Sequence, residues 1–312
     1  MANKRDHGGG LDAAIKRHGG RRAQWLDLST GINPVAYPVP SLSDDAWTAL
    51  PDTGMSDDLI QAAREFWNVP DGVDILASPG ASALIAQIPR LAQAGSVCIP
   101  TPTYNEHAAS FSDNHWQVQP DGPADAQVLV HPNNPDGRMW TSDDLTARLK
   151  IIDESFCDVS PERSLMPHAS EPGTIVLKSF GKFWGLAGVR LGFAIGDPDL
   201  IGRLKDMLGP WPVSGVALEI GTRALCDPAW ADTTRARLAT DTARLDALVC
   251  QNGASLLGGT TLFRLYRVDN AKGWQDHLAQ HHIWSRIFPY ASDWIRLGLP
   301  APDDWARLEA AL

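Results

Sequence analysis

The chain has 312 residues, 44% of them apolar and 21% charged, with a formal net charge of −10. That balance suits a soluble globular enzyme with one large core and a smaller appended part. It gives no support to a nucleic-acid or anionic-membrane role, so an anionic ligand would need a local cluster of cations and N–H groups. The four cysteines, Cys98, Cys157, Cys226 and Cys250, show no CxxC spacing. They suggest neither a disulfide framework nor a zinc site, no metal is expected, and a reducing cytoplasm fits. The opening residues carry no apolar leader core, and no apolar run approaches the roughly 20 residues of a membrane-spanning helix.

In chain order, residues 1–40 read as irregular and rich in Gly and Pro, with one short helix over 11–18. A helix follows over 57–67, apolar at Leu59, Ile60, Ala63, Phe66 and Trp67. Residues 73–77 are short and apolar, and a helix over 81–91 comes next, which Pro89 should end or bend. Strands are expected at 96–99, 116–118 and 128–131, the last running into the turn signal PNNPDG. A helix is expected over 141–150 with Thr141 or Ser142 as its cap, then strands at 150–153, 174–177 and 190–195. From 199 the pattern becomes helical, with further helices over 216–226 and 230–249, a strand over 260–267 and a last strand at 294–297.

Short apolar strands alternating with helices imply an α/β fold: a mostly parallel sheet covered on both faces. The change of pattern near residue 210 implies a smaller α+β domain. The expected division is a large domain over 41–208, with 1–40 and 209–312 forming an N-terminal arm and a small C-terminal domain. In such sheets ligands bind beyond the carboxyl ends of the strands. Gly80, Ala81 and Ser82, then Tyr104, Asn134, Asp153, and Ser179 with Lys182 all follow an expected strand.

The run TIVLKSFGKFWGLAGVRLGF from Thr174 is the most informative. It sets Ser179 three residues before Lys182 and Arg190 eight after it. A lysine so placed suits a Schiff base with an aldehyde cofactor, while the hydroxyl and the guanidinium hold that cofactor's phosphate. Asp153 closes an apolar strand, where an acid is costly without a cationic partner. A protonated ring nitrogen of the aldehyde cofactor would be that partner, and a carboxylate there strengthens the ring as an electron sink. Backbone N–H groups at Gly80, Ala81 and Ser82 open a helix and could bind phosphate.

The spacing around Lys182 resembles the lysine motif of fold-type I pyridoxal-phosphate enzymes, the aminotransferases and their decarboxylase relatives. The resemblance covers nearly the whole chain. It implies that Asn134, in HPNNPDG, bonds the cofactor's phenolic oxygen and that Tyr104 stacks on its ring. It also implies that Arg296, in DWIRLGL, forks onto a substrate carboxylate, a geometry lysine cannot supply. His7-Gly8-Gly9 and the stretch LDLSTGINP from Leu26 look like the opening of the cobalamin-pathway threonine-phosphate decarboxylases, close kin of the histidinol-phosphate aminotransferases. That resemblance places His7, Gly8 and Asn33 near the substrate, a small phosphorylated amino acid, and implies a homodimer. Decarboxylation would demand a Cα–carboxylate bond perpendicular to the ring; an aminotransferase would present Cα–H with the same residues, and phosphoserine stays open beside phosphothreonine. A silent fold acting as a binding module is the third reading, which the retained Lys182, Asp153 and Arg190 disfavour. Two departures stand out: Phe156 replaces the tyrosine that often follows the acid, and Leu50 replaces a tyrosine that commonly reaches the partner's cofactor phosphate.

Overall fold

The computed structural model describes residues 7–39 and 41–312. In chain order its strands are β1 (Leu26–Asp27), β2 (Asp74–Ser78), β3 (Ser96–Cys98), β4 (Gln117–Gln119), β5 (Ala126–Val130), β6 (Leu149–Asp153), β7 (Thr174–Ser179), β8 (Gly192–Gly196), β9 (Ser255–Thr260), β10 (Phe263–Arg267), β11 (Ile283–Trp284), β12 (Arg286–Phe288) and β13 (Ala291–Gly298). The chain clusters into two units. One holds Ala36–Asn134 and Arg138–Asp232; the other holds residues 7–35, Pro135–Gly137 and Thr233–Leu312.

The first unit is built on a seven-stranded sheet in the order β2-β8-β7-β6-β5-β3-β4. Pairing is parallel from β4 through β3, β5 and β6 to β7. The eighth strand runs antiparallel to both of its neighbours, β7 and β2. It therefore enters the sheet at the edge where those strands leave it. That direction brings Arg190, just before β8, to the same edge as the residues following β2 and β7. Strands β5, β6 and β8 are buried at every position, which is why they read as continuous apolar runs rather than as alternation.

On one face Ile151, Ile175, Leu177, Val128 and Val97 pack with Leu84, Ile88, Phe111 and Leu204 from the covering helices. Phe180, Phe183, Trp184 and Phe193 form a second buried aromatic layer, where Trp184 stacks on Phe180 and on Trp230 with centroids 5.1 and 5.3 Å apart. Each such side chain, fully buried, contributes roughly 1.5–3 kcal/mol.

Most expected elements of this unit form within a residue or two of their expected limits. The helix after Gly80 runs Ala81–Gln87 and gives way to a 3-10 turn, Ile88–Leu91, with Pro89 in its first turn. The helix expected over 141–150 does not form. A capping box between Thr141 and Asp144 closes a short 3-10 turn, Ser142–Asp144, and the chain then joins the sheet at Leu149, opposite Ala126. The Gln127 side chain accepts the Thr146 N–H at 3.2 Å and holds the segment extended. Sheet burial outweighs helix propensity here. The helix Asn105–Asp113 was not anticipated, because NEHAASFSD carries only a weak apolar stripe.

The second unit has a four-stranded antiparallel sheet, β12-β13-β10-β9, and a parallel pair, β1–β11. The strand expected over 260–267 is a hairpin: β9 and β10 pair across a tight turn at Thr261–Leu262. Helices Leu11–His18, Ala271–Gln280 and Trp305–Ala311 belong to the same unit. Among the described residues no helix is long and apolar enough to cross a membrane.

Candidate active site

Strand ends of the first unit surround a cavity of about 130 Å³ lined by Ala81, Ser82, Tyr104, Asn134, Asp153, Ser155, Phe156, Ser179, Lys182 and Arg190. The structure thus brings together eight of the nine positions expected to hold the cofactor, and the ninth, Gly80, lies against Arg190. A larger cavity of about 570 Å³ opens at the opposite edge of the sheet, beside Gly95, Asp125 and Asp197. Two of its three acids are spent on structure: Asp125 accepts from Ser96 and Arg148, and Asp197 caps the helix Pro198–Leu208. Chemistry, not size, marks the smaller cavity as the site.

Gly80 has φ +85°, and a Cβ there would lie 2.6 Å from Arg190 Nη2. The guanidinium therefore rests against the backbone that opens the helix Ala81–Gln87. Gly192 is equally required, since a Cβ there would come within 2.4 Å of the Ala81 nitrogen. Arg190 itself is in the left-handed region, φ 55°, and donates to the Ala187 carbonyl at 3.1 Å. Close approach of β8 to this helix start packs a cation beside N–H groups that have no intrahelical partner by helix geometry. Such a cradle suits a phosphate.

Asp153 ends β6 and is 3% exposed. Its carboxylate takes His107 Nε2 at 2.8 Å, the Ser155 N–H at 3.0 Å and the Ser155 hydroxyl at 2.5 Å. Burial alone would raise its pKa, but the His107 contact and the Ser155 bonds outweigh burial and hold it below the usual carboxylate value. The group is therefore an ionised, buried acid facing a pocket, suited to a cationic ring nitrogen. His107 was invisible to sequence reasoning: it sits inside a helix that had no clear periodicity.

Tyr104 precedes that helix, its ring 6.0 Å from His107 and nearly perpendicular to it. Burial first, then the charges of Asp153 and Glu106, push its hydroxyl up to about 12. It remains a neutral donor at working pH. Asn133 and Asn134 divide the turn after β5. Asn133 is buried, accepts from Thr103 Oγ1 at 2.6 Å and donates to the Pro102 carbonyl at 3.0 Å, so it ties the Tyr104 loop to β5. Asn134 lines the cavity. Lys182 projects its amine 5.2 Å from the centroid of Phe156. Ser179 Oγ accepts the Gly181 N–H at 3.3 Å.

The second unit gathers His7, Gly8 and Arg296. Arg296, on β13, is 5% exposed and donates to the Ser29 carbonyl at 2.8 Å. A Cβ on Gly8 would lie 2.5 Å from that carbonyl and 3.4 Å from Arg296 Nη2, so only glycine fits. The arm is held by the Gly9 N–H on Ser29 Oγ, 2.7 Å, by Trp284 Nε1 on the Gly9 carbonyl, 2.9 Å, and by Arg286 Nη1 on the His7 carbonyl, 2.5 Å. Arg286, which sequence reasoning missed, stands directly across from Arg296 in the β12–β13 register. Burial, then the like charge of Arg286, lowers Arg296 to about 10. Asn33 is buried within the same unit, where its Oδ1 accepts from Arg237 Nη2 at 2.6 Å and from the Val35 N–H at 3.1 Å.

The first unit thus offers an amine, an ionised buried carboxylate, a neutral aromatic hydroxyl, and a hydroxyl–guanidinium–amide cradle, a donor set that fits pyridoxal 5'-phosphate. A family model for aminotransferase class I and II matches residues 121–312. The chain belongs to that family, and its fold is the fold-type I architecture of pyridoxal-phosphate enzymes. A histidinol-phosphate aminotransferase from Sinorhizobium meliloti, solved in complex with pyridoxal-5'-phosphate, superposes with a TM-score of 0.81 at 19% identity, over 97% of this chain and 93% of that one. Two relatives named threonine-phosphate decarboxylase are closer in sequence. The one from Sinorhizobium sp is 41% identical over 95% of this chain and 93% of its own. The one from Pseudomonas aeruginosa is 38% identical over 98% and 97%.

Proposed function

We propose that this chain decarboxylates O-phospho-L-threonine to (R)-1-amino-2-propanol phosphate for cobalamin biosynthesis, using pyridoxal 5'-phosphate. The carrying observation is the near full-length similarity to the two threonine-phosphate decarboxylases. The cofactor supplies a sink for the electrons of the broken Cα bond. Lys182 is the residue that would hold its aldehyde carbon, and the Lys182 amine would hold the proton delivered at Cα. Asp153 keeps the ring nitrogen protonated, and His107 and Ser155 keep Asp153 oriented and ionised. Gly80, Ala81, Ser82, Ser179 and Arg190 hold the cofactor phosphate, Asn134 bonds the phenolic oxygen, and Tyr104 stacks on the ring.

Arg296 takes the substrate carboxylate, while His7, Gly8 and Asn33, joined by Arg286, serve the substrate's anionic end. Two anchored anions define an orientation, and that orientation selects which Cα bond breaks. Like charges directly opposite on paired strands are destabilising, and the Arg286–Arg296 pair supports an anionic ligand there. A homodimer is supported by exposed apolar side chains of the first unit: Trp47, Leu50 and Trp211 are 69%, 63% and 58% exposed. A reducing cytoplasm is supported by four free cysteines.

The test offers the cofactor-loaded protein O-phospho-L-threonine without any 2-oxoacid. Multiple-turnover release of carbon dioxide is expected. Absence of release, with glutamate formed from 2-oxoglutarate and histidinol phosphate, would make the chain an aminotransferase instead.

A further inference from the structure

A second set of buried charges adjoins the pocket wall. Lys178 on β7 is 2% exposed. Strand alternation turns it away from the face that Ser179 presents. Its ammonium lies 2.6 Å from Glu154 Oε2 and 3.2 Å from Asp158 Oδ1. Glu154 also accepts the Leu165 N–H at 2.6 Å and the Ser164 hydroxyl at 2.8 Å. Asp158 accepts Trp67 Nε1 at 2.9 Å and Trp184 Nε1 at 3.2 Å. Burial opposes the charge on Lys178, and the two carboxylates reverse that opposition and keep it protonated.

Glu154 also lies with His131 and Cys157 in a group whose donor atoms fall within 4.8 Å of one another. That group is not arranged for a metal. His131 Nδ1 accepts the Trp140 N–H at 3.0 Å, so Nε2 carries the proton given to the Arg163 carbonyl at 2.7 Å. Both ring nitrogens are in use, and the cation on Glu154 is the ammonium of Lys178.

Two carboxylates around one ammonium make an expensive cluster to bury. Three of its members are close in sequence to pocket residues. Lys178 precedes Ser179, Glu154 lies between Asp153 and Ser155, and Trp184 is two residues beyond Lys182. The Glu154 N–H also bonds the Leu177 carbonyl at 3.0 Å, at the last rung joining β6 to β7. We infer that Lys178, through Glu154 and Asp158, is a positioning residue that fixes the spacing between Asp153 and Lys182. This rests on the reading of those two as the cofactor's residues.

The test uses the cofactor-loaded enzyme carrying Lys178→Met together with Glu154→Gln, which leaves the net charge of the cluster unchanged. Expected is a fall in kcat of about 10²-fold, as for a misplacement near 1 Å, with KM little changed. The absorbance-monitored protonation midpoint of the Lys182-bound cofactor should also move, by about one pH unit. A merely structural role would lower the melting temperature and leave that midpoint and kcat in place, and this result in a folded variant overturns the inference. Should the double variant not fold, Trp184→Phe decides. It removes one donor to Asp158, so a smaller change in the same direction is expected, and an unchanged midpoint and kcat overturn the inference as well. Lys182→Ala separates the two readings. Retention of the lysine-linked absorbance there sinks the site itself; its loss, beside unaltered Lys178 and Trp184 variants, sinks only the positioning role.

Discussion

The pocket of the first unit and the β12–β13 strands of the second handle charge in opposite ways. At the pocket, Asp153 is compensated by groups of its own chain, His107 and Ser155, and is held ionised before any ligand arrives. On the β12–β13 strands two arginines face each other, and Arg296 is lowered to about 10 by burial and by Arg286. The first arrangement is complete without an anion. The second sets like charges opposite each other, and Asp27 offsets them only in part.

The largest effect is expected from the pocket. Lys182→Ala should lower turnover by roughly 10⁴-fold or more, as for loss of a proton-transfer group, in a steady-state carbon dioxide assay. Asp153→Asn should cost about 10²–10³-fold in kcat, the scale of losing one preorganised electrostatic contact. The same variant carries a sign for stability. A carboxyl held below its ordinary pKa stabilises the fold above that ordinary value, and the contribution disappears as pH falls through the folded value. Unfolding followed below about pH 4 should therefore be less pH-dependent in Asp153→Asn than in the parent.

On the β12–β13 strands the expected effects are smaller. Arg296→Lys keeps the charge and loses the fork, worth about 1.5–3 kcal/mol for a charged hydrogen bond, so kcat/KM should fall roughly tenfold to 10²-fold. Arg286→Lys, less buried, should lose less. If both variants matched the parent, the contrast between the two regions would fail. The smallest effect belongs to Tyr104. Its hydroxyl, raised to about 12, favours the fold below the ordinary value of 10.0, and that contribution is lost as pH rises towards 12. Tyr104→Phe should flatten the alkaline limb of a denaturation series by that share.

What was legible in the sequence follows from the same contrast. Lys182, Ser179, Arg190 and Asp153 were readable because each is tied to a strand end, and short apolar strands are loud signals. Their spacing along the chain carries over directly into a shared edge. The helix expected over 141–150 was misread because its apolar residues serve β6 and its polar ones serve a capping box. His107 and Arg286 were missed for different reasons. His107 bonds Asp153, 46 residues away, while Arg286 faces Arg296 across a hairpin whose β12 strand was not expected, so neither contact leaves a local pattern. Lys178 gave no signal either, since four residues before the more obvious lysine it reads as an ordinary strand-end charge.

The most direct measurement is the reaction of O-phospho-L-threonine in deuterium oxide, with the aminopropanol phosphate product examined by proton and carbon NMR. Cleavage of the Cα–carboxylate bond with Lys182 as the positioned donor predicts one original hydrogen and one deuterium at the former Cα, in a single configuration. A 2-oxo product, or two deuterium atoms at that carbon, would show that the Cα–H bond is the one broken and would contradict the decarboxylase reading.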